Sequence, residues 1–397
     1  MNNENTNPFS SGDPKSRVMV THGADPYENT LSSLADIDLS SARDKKVLVK
    51  PNAGRIATPG EGITTDPRVV AAAIDAFVDA GAIVSVGDSP ITGLKSLDAL
   101  KATGITAEAE KRDCTIIDLD ERPAVQVEIP DGKAIQNIQV CADVLEHDIV
   151  VSIPVMKMHM HTGVTLAVKN MKGCLWRRSK VELHMLPAVS DNSHKSLDIA
   201  IADMSSVLRP NLSIIDGTTG MEGLGPSAGK AKTLNTVVVG TDAFAADAVA
   251  CALMGVDAKD VPHLKIGAER GYGTIDLDEI STEPDSWKEL IDPFEKAPKN
   301  LAIEFPNVNI LDNQSCSACQ STLLLFLQRH GNELTEYLAE GEVLNIAIGK
   351  GHDSVPPGTL CIGNCTARHR EGNTFVSGCP PVSSQILKTL QDEKKKS

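Results

Sequence analysis

Short apolar runs bounded by turn residues alternate with stretches of helical spacing through most of this chain. Residues 46–52 predict a buried strand ending at Pro51, and the Gly-, Pro- and Thr-rich residues 53–66 predict a loop. Asp66 and Pro67 then form a helix start, a capping carboxylate followed by a residue whose fixed φ suits the first turn; the apolar face runs over 69–80 and Gly81 closes it. A strand over 83–87, a helix near 96–103 and a strand over 114–118 repeat the rhythm. Strand, loop, helix, strand at this spacing implies right-handed crossovers and a parallel sheet. Residues 124–140 alternate with period two, which predicts an antiparallel hairpin on the edge of that sheet. Further along, 148–153 reads as a buried strand, 197–208 as a helix stopped by Arg209-Pro210, and 212–216 as a strand. Residues 217–229 read as a glycine-rich loop, 235–240 as another strand, and 242–254 as an Ala-rich helix capped by Asp242 or Thr241.

The pattern changes near residue 300, after a charged, Pro-containing stretch; beyond it lie a helix over 321–331, a strand over 344–349 and five of the nine cysteines. The expected architecture is α/β: a mostly parallel sheet with flanking helices over 18–300, then a smaller cysteine-rich α/β segment over 301–397. Residues 1–17, rich in Asn, Ser and Pro, predict a disordered lead.

Charge alters this picture in one respect. A net charge of −15 over 397 residues argues against general binding to nucleic acid or anionic membrane, so local basic clusters stand out. No apolar run reaches the length of a membrane span and no signal peptide is evident, which predicts a cytoplasmic protein.

The densest basic cluster is Lys157, His159, His161, Lys169 and Lys172, placed where the strand over 148–153 gives way to a loop. Ligands of open α/β sheets bind at such strand ends, and an anion is the simplest partner for these cations. The alternation Lys-Met-His-Met-His also describes a half-exposed edge strand with Met inward. Lys50-Pro-Asn52, Thr64-Thr65-Asp66 and Gly87-Asp88-Ser89 fall at predicted strand or helix ends and converge on the same edge. His159, whose ordinary pKa lies near neutrality, is the candidate for proton transfer. Lys157 and Asp216 are further catalytic candidates, as are Glu222 and Asp247 for acid–base or metal duty. Lys50, Asn52 and Lys169 are candidate anion-binding residues. So are Gly223, Gly225 and Gly229 of a loop whose glycines let backbone N–H groups approach a phosphate or carboxylate, with Lys230 and Lys232 adding charge. That loop matches neither the dinucleotide fingerprint nor the P-loop pattern.

The cysteines make the strongest chemical signal: Cys316-Ser-Ala-Cys319, Cys361-Ile-Gly-Asn-Cys365 and Gly378-Cys379-Pro380-Pro381. Such a set takes zinc or an iron–sulfur cluster, both of which accept thiolates tetrahedrally. A zinc ribbon favours two Cys-x-x-Cys knuckles, whereas a Cys followed by Pro is common at cluster ligands, so an iron–sulfur cluster, of the 4Fe–4S type, is expected on Cys316, Cys319, Cys365 and Cys379, with Cys361 able to replace Cys365. A spare thiol beside a cluster could carry sulfur or close a redox disulfide.

Taken together, Val-Lys50-Pro-Asn, Thr-Thr-Asp66-Pro, Gly-Asp88-Ser, Pro-Val-Met-Lys157-Met-His159, Val-Lys169-Asn-Met-Lys-Gly173, Ile-Asp216-Gly, Met-Glu222-Gly-Leu-Gly-Pro and Asp242-Ala-Phe-Ala-Ala-Asp247 resemble the DUF362 domain family over roughly residues 45–280. The resemblance implies an association with iron–sulfur centres, commonly through a ferredoxin-like insert or extension, and assigns no reaction. This chain departs from the ferredoxin pattern, having no Cys-x-x-Cys-x-x-Cys-x-x-x-Cys-Pro run; its Gly-Cys-Pro-Pro ending resembles cluster-ligand segments of hydrogenase small subunits. The expectation is an iron–sulfur enzyme, an oxidoreductase or lyase, acting on a small anionic metabolite, with the cluster held against the sheet edge that carries Lys50, Lys157, His159, Lys169 and the glycine-rich loop. The alternatives are an electron carrier, sulfur-transfer or cluster-delivery protein that docks a redox partner, and a binding protein with structural zinc.

Overall fold

The structure is a computed structural model that describes residues 7–10, 15–187, 189, 194–297, 305, 307–331, 333–334 and 343–394. It divides into two units, residues 1–297 and 298–397. Of the stretch expected as a disordered lead, residues 1–6 and 11–14 lie outside the described residues. Asn7 ties its side chain to the carbonyls of Asn211 and Thr241, Phe9 is buried against Phe77, and the first strand already begins at Ser16.

The first unit opens with β1 (Ser16–His22), α1 (Pro26–Leu34), β2 (Lys46–Pro51), α2 (Pro67–Asp79), β3 (Ile83–Asp88), α3 (Ser96–Ala102), α4 (Ile105–Glu110) and β4 (Thr115–Asp118). Asp66 caps α2 as its sequence suggests, accepting from the Arg68 N–H. The hairpin of β5 (Ala124–Glu128) and β6 (Asn137–Cys141) is antiparallel, but it forms a two-stranded sheet of its own instead of lengthening the main one. After α5 (Ala142–Glu146) come β7 (Ile149–Ile153), β8 (Val155–His159), β9 (Gly163–Thr165), α6 (Ala167–Asn170), α7 (Ser179–Glu182) and α8 (Ser196–Ser205). A long antiparallel pair, β10 (Leu212–Glu222) and β11 (Lys230–Gly240), precedes α9 (Ala243–Leu253), α10 (Pro262–Glu269) and β12 (Ile280–Glu283).

The main sheet runs β12-β1-β11-β10-β7-β2-β3-β4, with β8 beside β10 and β9 beside β8. It is mostly parallel; β11 runs against β1 and β10, and β9 against β8. Both faces are covered, which is why the central strands read as unbroken apolar runs. Val47, Val49, Ile149, Val151, Val237 and Val239 face a core shared with Val70, Ile74 and Phe77 of α2, while Leu48, Val150 and Val238 face another shared with α8 and α9.

The central correction lies where β7 ends. The chain does not loop out after Ile153 but continues through Pro154 into β8, because β10 extends past the sheet's carboxyl ends and pairs Asp216 with Val155 and Met221 with Lys157. The segment 217–222 is therefore strand, and only the residues between Glu222 and Lys230 form a loop. Glycine is required there for contact, since a Cβ on Gly220 would stand 2.7 Å from the Met156 carbonyl oxygen and one on Gly225 only 1.8 Å from that of Met158.

The second unit holds β13 (Val308–Asp312), α11 (Ser317–His330), β14 (Leu344–Ile348), β15 (Leu360–Ile362), β16 (Thr374–Val376) and α12 (Ser383–Lys394). Its four strands are paired in sequence order and all parallel. Phe326, Ile346, Leu360, Ile362 and Ile386 share its core. Among the described residues no helix is long and apolar enough to cross a membrane.

Candidate functional site

In the larger unit the cations converge on the extension formed by β8 and on the short α6. All five residues of β8 are buried, so neither the loop nor the half-exposed edge strand expected for Lys157 and His159 occurs. Lys157 Nζ donates to Asn52 Oδ1 at 2.9 Å and to the Ile63 carbonyl at 2.7 Å. Asn52 Nδ2 donates to Asn170 Oδ1, and Asn170 Nδ2 to Ser152 Oγ, which fixes the oxygen of Asn52 as the atom facing the lysine. Thr65 Oγ1 takes the Asn52 N–H and gives its own proton to the Ile153 carbonyl, so the ends of β2, β7 and the loop before α2 are tied together.

Lys50 is spent differently. Its ammonium pairs at 2.7 Å with Asp88, whose other oxygen accepts the Ala53 N–H, and Gly173 packs so closely that a Cβ there would lie 2.6 Å from both charged atoms. This buried pair joins β2, β3 and the turn after α6. Its charge is internally balanced, so Lys50 contributes alignment more than free positive charge.

Lys169 rides on α6, a single turn held by Asp247. The two carboxylate oxygens accept the N–H groups of Ala167 and Val168 at 2.7 and 3.0 Å, and burial pushes the Asp247 pKa up to about 8. Lys169 Nζ donates to Thr165 Oγ1, and Thr165 lies opposite Lys157 in the β8–β9 pair. Lys172 contacts His184 Nε2, and the His159 and His161 rings meet edge to face with centroids 5.7 Å apart.

Burial, and after it neighbouring charge, lowers the basicity of these groups. Burial lowers the Lys157 pKa to about 7, assisted by the charges of Arg55 and Lys50 against the pull of Asp88. Lys172 falls to about 7 by burial and the Lys180 charge. Lys169 is held well below the usual lysine range by burial and then by Lys172 and Lys157, with Asp198 alone acting the other way. His159 and His184 are likewise pushed well below neutrality, first by burial and then by neighbouring cations.

His159 is thereby held below the near-neutral range expected for it from the sequence. Its Nδ1 accepts the His161 N–H at 3.1 Å, so the neutral ring carries its proton on Nε2 and offers a hydrogen-bond donor. Lys157 is the group poised near neutrality. Asp216 is placed by backbone, with one oxygen accepting from Asp66 N–H and the other from Thr218 N–H; burial raises its pKa to about 6. It locks β10 to the start of α2.

The glycine-rich loop spends the amides of Gly223 and Gly225 on its own backbone and on Glu295. Gly223 N–H donates to the Glu295 carbonyl and Gly225 N–H to the Gly223 carbonyl, while a Cβ on Gly229 would stand 2.0 Å from the Glu222 carbonyl oxygen. Lys230 pairs with Glu295, and Lys232 with Asp292 and Glu222. These residues build the β10–β11 hairpin.

Several partners carry no sequence signal. His184 lies in a stretch without periodicity, and the Lys180 contacts with Ser89, the Leu175 carbonyl and Asp120 span the fold. Asp198 and His263 face each other at 3.7 Å from α8 and α10, both almost wholly buried, and the Lys169 charge reaches that histidine.

In the smaller unit, parallel pairing brings the carboxyl ends of β13, β15 and β16 to one edge, and four cysteines follow those ends. Cys316 caps α11 and Cys319 lies in its first turn; Cys365 follows β15 and Cys379 follows β16. The last two segments are stitched by Asn364 N–H to the Gly378 carbonyl at 2.8 Å and by Gly378 N–H to Asn364 Oδ1 at 2.9 Å. A Cβ on Gly363 would touch Cys319 Sγ at 3.3 Å, so Cys319 packs against the Cys365 segment. A hydrogen bond from Cys319, with N–H groups of the helix start, lowers the Cys316 pKa to about 6 despite burial. Cys319 is raised by that shared proton, by burial and by charge on Cys379 and Cys365. Cys365 is raised by burial and then by Cys379 and Cys316. All four sulfurs thus lie within electrostatic reach of one another. Cys361 is buried within β15, its thiol toward the His369 carbonyl. Among the described residues, no three His, Cys, Asp or Glu side chains stand close enough to hold a metal ion.

Comparison with known proteins supplies the family. The thylakoid-associated protein sll1697 of Synechocystis is 27% identical over 218 residues, 55% of this chain and 65% of that protein, so the match spans less than two thirds of the relative. The lactate racemase apoprotein of Thermoanaerobacterium thermosaccharolyticum superposes with a TM-score of 0.40 at 13% identity, over 98% of this chain and 82% of that one. A Thermotoga maritima protein gives 0.36 at 13% identity, over 58% and 60%. Likeness at that level says nothing about what this chain does. Residues 47–252, just over half the chain and nearly all of the cation-bearing site, match the family model of DUF362, a domain of unknown function. The chain belongs to the DUF362 family.

Proposed function

We propose that this protein is an iron–sulfur enzyme acting on a small organic anion. The observation that carries the reading is the imbalance of charge around β8 and α6. Burial, with neighbouring cations adding to it, depresses the protonation of Lys157, Lys169, Lys172, His159 and His184, and the carboxylates of Asp88 and Asp247 are committed to Lys50 and to the backbone of α6. Concentrated cations in a low-dielectric site favour an anionic occupant, and a bound anion restores their protonation. His159 Nε2–H would donate to that anion, and Lys157 would hold or move the proton near neutrality.

Cys316, Cys319, Cys365 and Cys379 fit a cluster in the chemistry of the donor set, four thiols that feel one another's charge, one of them already acidic at a helix start, though as they stand they are not gathered at ligand distance. The segments bearing Cys365 and Cys379 would draw inward to complete the site. A cluster there would supply electrons or a Lewis acid. A reducing, cytoplasmic setting goes with this reading, because the thiols must stay free to take iron.

Calorimetry with inorganic phosphate and a series of mono-, di- and tricarboxylates tests the anion site. The reading expects one anion per chain, bound with net proton uptake between pH 7 and 8 and weakened in Lys169→Met. Absence of binding by every probe at pH 6, or binding indifferent to Lys169→Met, overturns it.

A further inference from the structure

The proton count at Lys157 narrows the chemistry. Its two partners, Asn52 Oδ1 and the Ile63 carbonyl, are both neutral acceptors, and among the described residues no carboxylate forms an ion pair with it. An ammonium has three N–H groups to place and a neutral amine has two. Two acceptors therefore satisfy a neutral amine completely and leave its lone pair at the remaining tetrahedral corner. The Asn52 orientation that makes this possible is enforced by Asn170 and Ser152. Burial and the charges of Arg55 and Lys50 disfavour the third proton, and a desolvated, uncharged lysine is a nucleophile toward carbonyl carbon.

We propose that Lys157 forms an imine with the carbonyl carbon of a small 2-oxo carboxylate. The position of Lys169 selects this class, and the inference rests on the anion site proposed above. Lys169 Nζ sits on Thr165, directly across the β8–β9 ladder from Lys157, so the basic nitrogen that a bound carboxylate would reprotonate is next to the amine and not at the far end of a long ligand. The carboxylate must adjoin the reacting carbonyl. In the step itself the amine lone pair forms the C–N bond and the carbonyl π electrons move to oxygen. Both amine protons end on that oxygen, which leaves as water while the second C–N bond forms. No oxidant or reductant takes part. A proton taken up from solvent then gives the protonated imine, whose single N–H points to Asn52 or Ile63.

The full chain, kept anaerobic, is incubated at pH 7.5 with pyruvate, glyoxylate or 2-oxoglutarate and sodium cyanoborohydride, and its peptides are mapped by mass spectrometry. One of these probes is expected to leave the reduced oxo acid on Lys157 at near-stoichiometric yield, with exposed lysines such as Lys259 at background. Because the mapping uses the unaltered protein, it does not depend on a variant folding; Lys157→Met then removes the adduct. An oxo acid that binds by calorimetry yet labels no lysine, or labels Lys169 instead, overturns the imine and leaves the anion site standing. Failure of every small anion to bind overturns both.

Discussion

In the larger unit the reactive groups hang from β2, β8 and α6, are buried, and already rest on neutral oxygens, on each other or, for Lys50, on Asp88; in the smaller unit they follow the ends of β13, β15 and β16, and Cys365 is exposed. Both units exploit the carboxyl end of parallel strands. The cation site is built before any ligand arrives, held by Asp247 under α6, Asp216 under β10 and the Lys50–Asp88 pair. The thiol site has its four members near one another but not closed. On the proposed reading, preorganisation in one and completion by a cluster in the other predict opposite responses to mutation.

The largest effect is expected in the thiol site. Replacing Cys319 with Ser should abolish bound iron, whereas Cys361→Ser, altering a thiol within β15, should leave iron content unchanged; equal loss in both would remove the distinction between strand and edge. Next comes Lys169→Met, which should weaken binding of the best small anion about 10–100-fold, the effect of losing a charge-assisted hydrogen bond, without changing iron content. Asp247→Asn should cost about 2–3 kcal/mol in urea unfolding, because an amide cannot accept both the Ala167 and Val168 N–H groups. Cys365→Ser in the metal-free chain should cost almost nothing.

Stability should also depend on pH. Lys157 and Lys172 titrate at about 7 in the folded chain and at about 10.4 when unfolded. Between those values the unfolded state binds more protons, so stability rises with pH by at most about 1.4 kcal/mol per unit for each lysine. Asp216 and Asp247, raised to about 6 and 8, act in the opposite sense but are finished by about pH 8. Thermal unfolding of the ligand-free chain should therefore show a net gain from pH 8 to pH 10, and a saturating small anion should flatten it.

Much of the fold was legible because its signals are local. Asp66-Pro67 announces α2 and Asp242 caps α9 from their immediate neighbours, and the apolar runs of β2, β3 and β7 need only their own residues. What escaped depends on contacts distant in the chain. Gly217 and Gly220 look like loop residues but are strand residues pressed against Met156, and Lys157 and His159 look like solvent-facing or loop residues but are covered once β10 extends beside them. The hairpin of β5 and β6 was visible as a hairpin, yet its failure to join the main sheet was not, since partner choice has no local signature. At the cation site the charged motif residues could be named from the chain, whereas His184, Lys180 and the Asp198–His263 pair could not.

Metal analysis of anaerobically purified chain tests most directly whether the thiols and the cations serve two functions in one enzyme, as proposed. Iron, acid-labile sulfide and zinc would be measured on the unaltered protein, Cys319→Ser and Lys157→Met, beside calorimetry with the best small anion. The prediction is iron and sulfide in equal amounts in the unaltered protein and in Lys157→Met, neither in Cys319→Ser, and anion binding in the unaltered protein that weakens only in Lys157→Met. Zinc without sulfide, or iron lost together with anion binding in Lys157→Met, would contradict it.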